Sequence, residues 1–372
     1  MGIITLDFET YYDSKDYSLN RTDTTTEAYI NDWRFEIILV AVKQDREKTN
    51  WYTGTHEEIK KELEKYDWEN NYLLAHNTKF DGAILNWKFG IKPKYYLDTL
   101  SMAQAVLDTC TGKQEGSLLA NLKLKSLVEF FELGKKGTEV YDANRKNRID
   151  FSTAELKSYA DYCINDVELT YDLFWKIFTI YWYPDRELDL INNTLNMFIH
   201  PKFELDLEAL EEEQERIHIH RNDLLVKAGV PKQVLTSVQK FKTLLAKHGI
   251  TPPDSLKKDN HEFTDLLYHE KEVVRNLVEA RLCFASNIEP SRIEKLIESA
   301  NRNNGLHVPL KYYGAHTGRW SGTDKINLQN ITRNAKGLKK CFKAPPGHVV
   351  INSDLSQIET RLLCYFAGQE DM

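Results

Sequence analysis

Residues 349–361 read VVINSDLSQIETR, and this stretch decides how the whole chain is interpreted. It begins with a short apolar run that ends at a single carboxylate, Asp354. Apolar residues then recur at helical spacing as far as Phe366, which predicts a strand followed by a helix. A strand that ends in an aspartate is a common way to hold a metal ion. We therefore predict that Asp354 is a metal ligand.

The residues before this stretch connect it to a known family. TGRWSGTDKINLQN at 317–330, followed by SDLSQIETR at 353–361, resembles the entry to the palm of family A DNA polymerases, the group of bacterial polymerase I and many phage enzymes. The resemblance implies that Arg319 reaches the primer terminus from the minor groove and that Glu359 excludes a ribose 2′-hydroxyl. It also implies that three polar residues line the primer-template: Asn327, Gln329 and Asn330.

The palm-like region lacks several parts that the family uses. Only eighteen residues (372 minus 354) follow Asp354, so neither the fingers helix nor the second metal-binding aspartate follows. We therefore expect residues 301–372 to form an incomplete α+β palm that does not polymerise DNA by itself. Leu355 stands where bacterial members have Tyr, a difference that suggests phage relatives.

The other end of the chain predicts a mixed α/β layer. Alternation in GIITLDFE places Asp7 and Glu9 on one face of the first strand. Strands at 35–43 and 50–54 follow as a meander, and further strands then alternate with helices. Residues 78–82, TKFDG, are predicted to form a turn before the next helix.

Three acidic motifs lie in this part of the chain. They are D-F-E at 7–9, H-N-T-K-F-D at 76–81 and Y-C-I-N-D at 162–166. Their order resembles that of the DEDD-type 3′-5′ exonucleases that carry a tyrosine, the usual form in polymerase proofreading. The resemblance implies a ribonuclease H-like exonuclease domain at 1–180 with these catalytic residues: Asp7, Glu9, Asp81, Tyr162 and Asp166.

The chemistry of phosphodiester cleavage explains such a set. Two divalent ions can supply a hydroxide nucleophile and shield charge on the attacking and leaving oxygens, and carboxylates suit Mg²⁺ or Mn²⁺. By the family resemblance, Asp7, Glu9 and Asp166 bind the ions directly, whereas Asp81 acts through a water molecule. Tyr162, which shares a helix face with Asp166, orients the attacking water.

Single motifs have simpler explanations. A lone D-x-E or a lone aspartate on a helix is more often a solvated charge, but three motifs in this order favour a site. Asn77 and Phe80 are expected to contact the DNA 3′ end, with Phe80 stacking on the terminal base, although an aromatic residue beside a turn is usually part of a core. For Arg319 the simpler explanation is a solvated basic loop.

Charge and cysteine content narrow the class of protein. Residues 1–180 carry 23 basic and 30 acidic residues, whereas residues 301–372 carry 10 and 5, so the basic excess lies in the polymerase-like end. Residues 181–300 have a helical pattern and are expected to form a thumb-like region. Five cysteines without C-x-x-C spacing argue against a disulfide framework or a zinc ribbon. We expect a cytoplasmic protein without a membrane partner.

The sequence as a whole predicts a proofreading-type 3′-5′ exonuclease joined to the beginning of a family A polymerase core. Its expected partners are DNA, as a single-stranded 3′ end and as primer-template, and two Mg²⁺ or Mn²⁺ ions. Two alternatives remain open. One is an RNA-trimming nuclease of the same superfamily. The other is a DNA-binding or assembly subunit that completes a split polymerase with a second chain.

Overall fold

The computed structural model describes residues 2–21, 23–111, 122–137, 142–303, 305–315, 317–331 and 335–369. The strands in these ranges are β1 (Ile3–Thr10), β2 (Ile37–Gln44), β3 (Asn50–Tyr52), β4 (Tyr72–Ala75), β5 (Tyr95–Asp98), β6 (Glu204–Leu205), β7 (Leu310–Lys311), β8 (Ser321–Gly322) and β9 (Phe342–Lys343). The first seven α-helices are α1 (Thr26–Asn31), α2 (His56–Leu63), α3 (Thr78–Phe89), α4 (Thr99–Thr111), α5 (Leu124–Phe130), α6 (Thr153–Tyr181) and α7 (Asp185–Ile199). The later ones are α8 (Leu207–Ala228), α9 (Lys232–Thr236), α10 (Val238–Lys247), α11 (His261–Asp265), α12 (Glu272–Phe284), α13 (Ile288–Asn303), α14 (Lys336–Lys340) and α15 (Ile358–Phe366). Short 3₁₀ helices lie at Arg148–Asp150 and Leu266–Tyr268.

A five-stranded mixed sheet forms the centre of the N-terminal part, with the order β3-β2-β1-β4-β5. The pairs β1–β2 and β2–β3 are antiparallel, so the predicted meander is confirmed. The pairs β1–β4 and β4–β5 are parallel, because helical connections return the chain to the same edge. The predicted mixed α/β fold is therefore confirmed for the N-terminal part of the chain.

The longest helix begins where the sequence predicts it. The backbone nitrogen of Ser152 donates to the Glu155 carboxylate at 2.8 Å, and the nitrogen of Glu155 donates back to Ser152 Oγ at 3.3 Å. This capping box satisfies amide groups that the first turn leaves unpaired. The 29 residues of α6 then cross β1 and β2 and bring their apolar face against the sheet.

The core of this first unit continues past the predicted boundary at residue 180. The apolar face of α7, including Ile191 and Phe198, joins the same core and packs on α3 and β5. The contact with α3 is close at Gly82, where a Cβ atom would lie 2.7 Å from Cδ1 of Ile199. Burial of α7 against the sheet therefore fixes the position of α3.

The described residues that follow α7 are mainly helical and form two further cores. One core joins α8, α10 and α12 around Phe241 and Phe263, within the residues where a thumb-like region is expected. The other joins the first part of α8 and α13 to the polymerase-like residues around Leu338. None of the helices in the described ranges has the length and apolar character needed to cross a bilayer.

Buried polar contacts connect the two parts of the chain. The Glu27 carboxylate is 2% exposed and accepts hydrogen bonds from Ser299 Oγ at 2.8 Å and from Arg302 Nε at 3.1 Å. The backbone nitrogen and the hydroxyl of Thr26 both donate to Asp324 Oδ1, at 2.8 and 3.0 Å. The first turn of α1 is thus anchored to α13 and to the polymerase-like end.

The predicted strand within residues 349–353 is wrong. These residues form neither strand nor helix, and the side chains of Val349 and Ile351 are 80% and 85% exposed. A strand is stabilised by hydrogen bonds to a neighbour, and no strand in the described part of the chain pairs with this segment. The helix expected after it is present as α15.

Candidate active site

The first two acidic residues of the site lie on the central strand. Asp7 and Glu9 share one face of β1, two positions apart. The Tyr159 hydroxyl on α6 donates a 2.5 Å hydrogen bond to Glu9 Oε2. The sulfur of Cys163, one turn further along α6, lies 3.3 Å from the carbonyl oxygen of Asp7 and 3.6 Å from its Oδ2. Both carboxylates are therefore held between the strand and α6.

The third carboxylate reaches the same strand from α3. The backbone nitrogen of Phe8 donates to Asp81 Oδ1 at 3.1 Å. The predicted turn at residues 78–82 is wrong, because α3 begins at Thr78 and Asp81 lies in its first turn. The reason is a cap supplied from elsewhere in the chain: Asp98 Oδ1 accepts from the backbone nitrogens of Asn77 and Thr78, at 2.8 and 3.2 Å.

The last motif contributes Tyr162 and Asp166, one turn apart on α6. Both side chains are buried, at 5% and 3% exposure. Asp166 Oδ2 forms an ion pair with the ammonium of Lys136, which comes from the loop after α5. The same ammonium lies 5.0 Å from the centre of the Tyr162 ring. The structure thus brings all five predicted catalytic residues together and adds a lysine.

Burial dominates the electrostatics of the cluster. It raises the pKa of Asp7, and, together with repulsion from Asp7, it raises the pKa of Asp166 to about 6. The pKa values of Glu9 and Asp81 lie well above their usual range, first because of burial and then because of the charge on Asp7. Lys136 acts in the opposite direction on Asp7, Glu9 and Asp166. To stay ionised, the four carboxylates therefore need more positive charge than Lys136 alone supplies.

The donor groups fit hard divalent ions. Oxygens of Asp7 and Glu9 and the sulfur of Cys163 lie within 4.8 Å of one another. Asp166 Oδ1 is buried and has no hydrogen-bond partner among the described residues, a costly arrangement unless another group satisfies it. Burial raises the pKa of the Cys163 thiol well above its usual range, so the thiol stays protonated and the carboxylate oxygens are the better donors for a cation. Such an oxygen set is typical of Mg²⁺ and Mn²⁺ sites.

The residues expected to contact the DNA 3′ end lie beside the cluster. Asn77 has a left-handed backbone (φ 73°) before α3, and its side chain makes no capping hydrogen bond. Phe80 is half-buried, and its ring centre lies 6.0 Å from that of Tyr29. Packing against the core is therefore part of the role of Phe80, and its stacking on a base stays a prediction.

The residues predicted for the polymerase side form a separate group on the surface. Arg319 and Glu359 make an exposed ion pair with each other. Gln329 donates from Nε2 to the carbonyl oxygen of Trp320 at 3.0 Å, and its backbone nitrogen donates to Asn327 Oδ1 at 3.0 Å.

Two further predicted residues of this group have exposed side chains, Asn330 and Asp354. Asp354 lies on the irregular segment described above and is outside the donor cluster found in the described residues. Its role as a metal ligand stays a prediction.

Comparisons with known families assign both parts of the chain. Residues 22–180 match the model of a 3′-5′ exonuclease, and residues 202–372 match the model of DNA polymerase family A. The chain thus carries matches to both family models, the 3′-5′ exonuclease first and DNA polymerase family A second. The match confirms the family that the motifs predict, in the order that they predict.

Named relatives agree with this assignment. A DNA polymerase of Escherichia phage T5 is 24% identical over 82% of this chain and 39% of its own length. DNA polymerase I of Chloroflexus aurantiacus is 27% identical over 80% of this chain and 33% of its own length. DNA polymerase I of Aquifex aeolicus is 26% identical over 78% of this chain and 51% of its own length. The chain thus spans a third to a half of the length of these relatives.

A solved structure shows the same fold. It is the polymerase domain of polymerase I from M. smegmatis in complex with a DNA primer-template and dNTP. The TM-score is 0.56 at 15% identity, over 99% of this chain and 59% of that one. None of these relatives supports the predicted second chain.

Three residues of the exonuclease cluster were missed by sequence reasoning: Lys136, Tyr159 and Cys163. Tyr159 and Cys163 precede Asp166 by seven and three positions on α6, so helical periodicity could have found them. Lys136 belongs to a loop 30 residues before Asp166, and no periodic pattern connects the two.

Proposed function

We propose that the cluster around Asp7 is a two-metal site that removes nucleotides from the 3′ end of DNA, as in proofreading. The observation that carries this proposal is the convergence of three distant segments on one carboxylate cluster. Asp7 and Glu9 come from β1, Asp81 from α3, and Tyr162 and Asp166 from α6. Asp166 Oδ1 is buried and lacks a hydrogen-bond partner in the part of the chain that the structure describes, which supports the presence of a cation there.

The reaction is hydrolysis of the terminal phosphodiester. The oxygen of a water molecule bonds to phosphorus while the bond from phosphorus to the 3′ oxygen of the preceding nucleotide breaks. The water gives up a proton and the departing oxygen takes one up, so the products are a nucleoside 5′-monophosphate and a strand shorter by one nucleotide. Two divalent ions in the cluster would activate the water and stabilise charge on both oxygens.

The side chains of the chain have distinct tasks in this proposal. Asp7, Glu9 and Asp166 hold the ions, and Asp81, fixed by the Phe8 amide, acts through a water molecule. Burial and the charge on Asp166 raise the pKa of Tyr162 far above its usual range, so its hydroxyl stays neutral and can orient the attacking water.

The sheet supports a ribonuclease H-like assignment of this domain. The antiparallel β3-β2-β1 part continues into the parallel strands β4 and β5, and the acidic residues lie on the central strand. With the polymerase-like end attached to it, DNA is the proposed substrate.

A direct assay tests the proposed function. A single-stranded DNA labelled at its 5′ end should be shortened one nucleotide at a time, in the presence of Mg²⁺ or Mn²⁺ and not in EDTA. Asp7→Ala and Asp166→Ala should lose nearly all of this activity. Asp172→Ala is the matched control, because Asp172 is an exposed acid on the same helix as Asp166. Full activity of both site variants would refute the assignment, and faster cleavage of RNA than of DNA would favour the RNA-trimming alternative.

We also propose that the polymerase-like end binds primer-template DNA. The excess of ten basic over five acidic residues in 301–372 and the 67% exposed side chain of Arg319 support contacts with the phosphate backbone. Arg319→Ala should weaken duplex binding and reduce its salt slope by about one unit. Lys176→Ala, an exposed change on α6, is the control. Equal duplex affinity of Arg319→Ala and the unmodified protein would contradict the proposal.

A further inference from the structure

We propose that Lys136 is a substrate-contacting residue of the exonuclease site. Its ammonium pairs with Asp166 in the free protein and turns to the phosphate of the 3′-terminal linkage once divalent ions occupy the carboxylates. The inference rests on the exonuclease function proposed above. Lys136 lies outside all three acidic motifs, and it comes from a loop that the sequence pattern leaves unassigned.

Lys136 lies close to several acids of the cluster. Its ammonium pairs with Asp166 Oδ2, and its charge also acts on Asp7 and Glu9. Three of the four carboxylates thus face one lysine. No other lysine or arginine in the described residues forms an ion pair with Asp7, Glu9 or Asp166.

The loop that carries Lys136 is fixed on α6 beside Asp166. Gly134 has φ +150°, and a Cβ atom there would lie 3.2 Å from Cδ2 of Leu169. Asn165 Nδ2 donates to the carbonyl oxygen of Lys135 at 3.1 Å. Because the residues before Lys136 are held against α6, the backbone position of Lys136 beside Asp166 is fixed.

Lys136 lies at the open side of the cluster. Its side chain is 24% exposed, whereas the side chain of Asp166 is 4% exposed. The ammonium lies 5.0 Å from the centre of the Tyr162 ring, the side chain that is proposed to orient the attacking water. A flexible lysine between the buried acids and solvent can reach a phosphate that enters from that side.

Charge balance indicates which group Lys136 pairs with once divalent ions are bound. Four ionised carboxylates carry four negative charges, and two divalent ions neutralise them. The ammonium is then surplus, and the scissile phosphodiester is the remaining anion, which gains further negative charge during hydrolysis. Preorganised cations that face such developing charge accelerate phosphoryl chemistry. Asp166 Oδ1, which is buried and unpaired among the described residues, remains available to an ion while Lys136 pairs with Oδ2.

The test compares Lys136→Met with Lys136→Arg and with Lys135→Met, an exposed neighbouring control. Three quantities are measured on the full chain: Mn²⁺ affinity by calorimetry, affinity for a single-stranded DNA in Ca²⁺, and single-turnover cleavage in Mn²⁺. Each DNA is made with an ordinary 3′-terminal linkage and with a neutral methylphosphonate at that linkage.

Lys136→Met should bind Mn²⁺ at least as tightly as the unmodified protein, because a competing cation is gone. It should cleave about 10²-fold more slowly, the usual size of the loss of one group that stabilises developing charge. It should also bind the ordinary DNA several-fold more weakly, and the difference between the two proteins should vanish with the methylphosphonate. Lys136→Arg and Lys135→Met should retain binding and most of the cleavage.

Two outcomes would overturn the inference. One is an equal loss of affinity by Lys136→Met with the charged and the neutral linkage, which means no contact with that phosphate. The other is a loss of Mn²⁺ affinity, which means that Lys136 only supports the fold of the site. Absence of metal-dependent cleavage by the unmodified protein would instead refute the exonuclease proposal, and the DNA-binding comparison would still decide the role of Lys136.

Discussion

The Tyr159 hydroxyl and the Glu9 carboxylate form a 2.5 Å hydrogen bond across 150 residues of sequence. Tyr159 is 2% exposed and Glu9 is 9% exposed, so the bond lies in a site shielded from water. A donor that faces a buried carboxylate favours its charged form, which is the form that binds a cation. Tyr159 therefore positions a proposed metal ligand without belonging to any of the acidic motifs.

Removal of this hydroxyl gives the first prediction. Tyr159→Phe should weaken Mn²⁺ binding several-fold, because the pKa of Glu9, already raised by burial, rises further. It should also cost about 1.5–3 kcal/mol of folding free energy, the usual value for a hydrogen bond to a charged group. Calorimetry with Mn²⁺ and denaturant unfolding measure the two effects.

The control for Tyr159→Phe is Tyr66→Phe. Tyr66 shares a 3.0 Å hydrogen bond with the Tyr52 hydroxyl, and both lie outside the carboxylate cluster. This variant should lose stability without any change in Mn²⁺ affinity. Equal Mn²⁺ affinities of Tyr159→Phe and Tyr66→Phe would show that Tyr159 only supports the fold.

The second prediction concerns Tyr162, one turn further along α6. Tyr162→Phe removes the hydroxyl proposed to orient the attacking water and leaves the carboxylates in place. Such positioning is worth about 10²–10⁴ in rate, so turnover at saturating Mn²⁺ should fall by that factor while Mn²⁺ affinity is retained. Single-turnover cleavage measures the rate. An unchanged rate would mean that Tyr162 is only packed beside the site.

The pH dependence of stability gives the third prediction. Burial and Asp7 raise the pKa of Asp166 from 3.8 to about 6, so between these values the folded protein keeps a proton that the unfolded chain has lost. The stability contributed by this group is therefore full below about pH 4 and is lost as the pH rises through 6. Without metal, Asp166→Asn should show a weaker fall in Tm over this range and melt a few degrees higher at pH 7.5.

Thermal melts in EDTA and in Mn²⁺ check this prediction. Mn²⁺ should raise the Tm of the unmodified protein more than that of Asp166→Asn, because the variant has lost a proposed ligand. Asp161→Asn, an exposed change on the same helix, should follow the unmodified protein in both solutions. Parallel curves of Tm against pH for Asp166→Asn and the unmodified protein in EDTA would show that folding does not raise the pKa of this carboxylate.

The fourth prediction concerns the contact between the two parts of the chain. Glu27→Gln keeps an acceptor for Ser299 but removes the charge that pairs with Arg302, so the protein should lose about 1–3 kcal/mol of stability. Amide exchange should become faster in α1 and in the last turns of α13, where Ser299 and Arg302 lie. Glu57→Gln, an exposed change in α2, is the control. Unchanged exchange in α1 would mean that other contacts hold the two parts together.

Local sequence patterns predicted much of the N-terminal part. Alternation in residues 3–10 was enough to place Asp7 and Glu9 on one face, because a strand repeats every two residues. The capping box at Ser152 was enough to start α6 and to bring Tyr162 and Asp166 to one face. Interactions within a few residues decide these features.

Features that depend on distant partners were not predictable in this way. Residues 78–82 are helical because Asp98, about twenty positions later, caps the backbone of α3. Residues 349–353 look like a strand but are not one, because an apolar run becomes a strand only beside a pairing neighbour.

The sequence by itself determined the family, the order of the acidic motifs and the faces on which their side chains lie. Only the tertiary structure decided that Lys136, Tyr159 and Cys163 enter the same cluster. The physical reason is that burial, charge pairing and unpaired oxygens are properties of groups that meet in space. Asp166 lies 30 residues from Lys136 and 159 from Asp7 (166 minus 7), and folding alone sets their distances and the charges that each one carries.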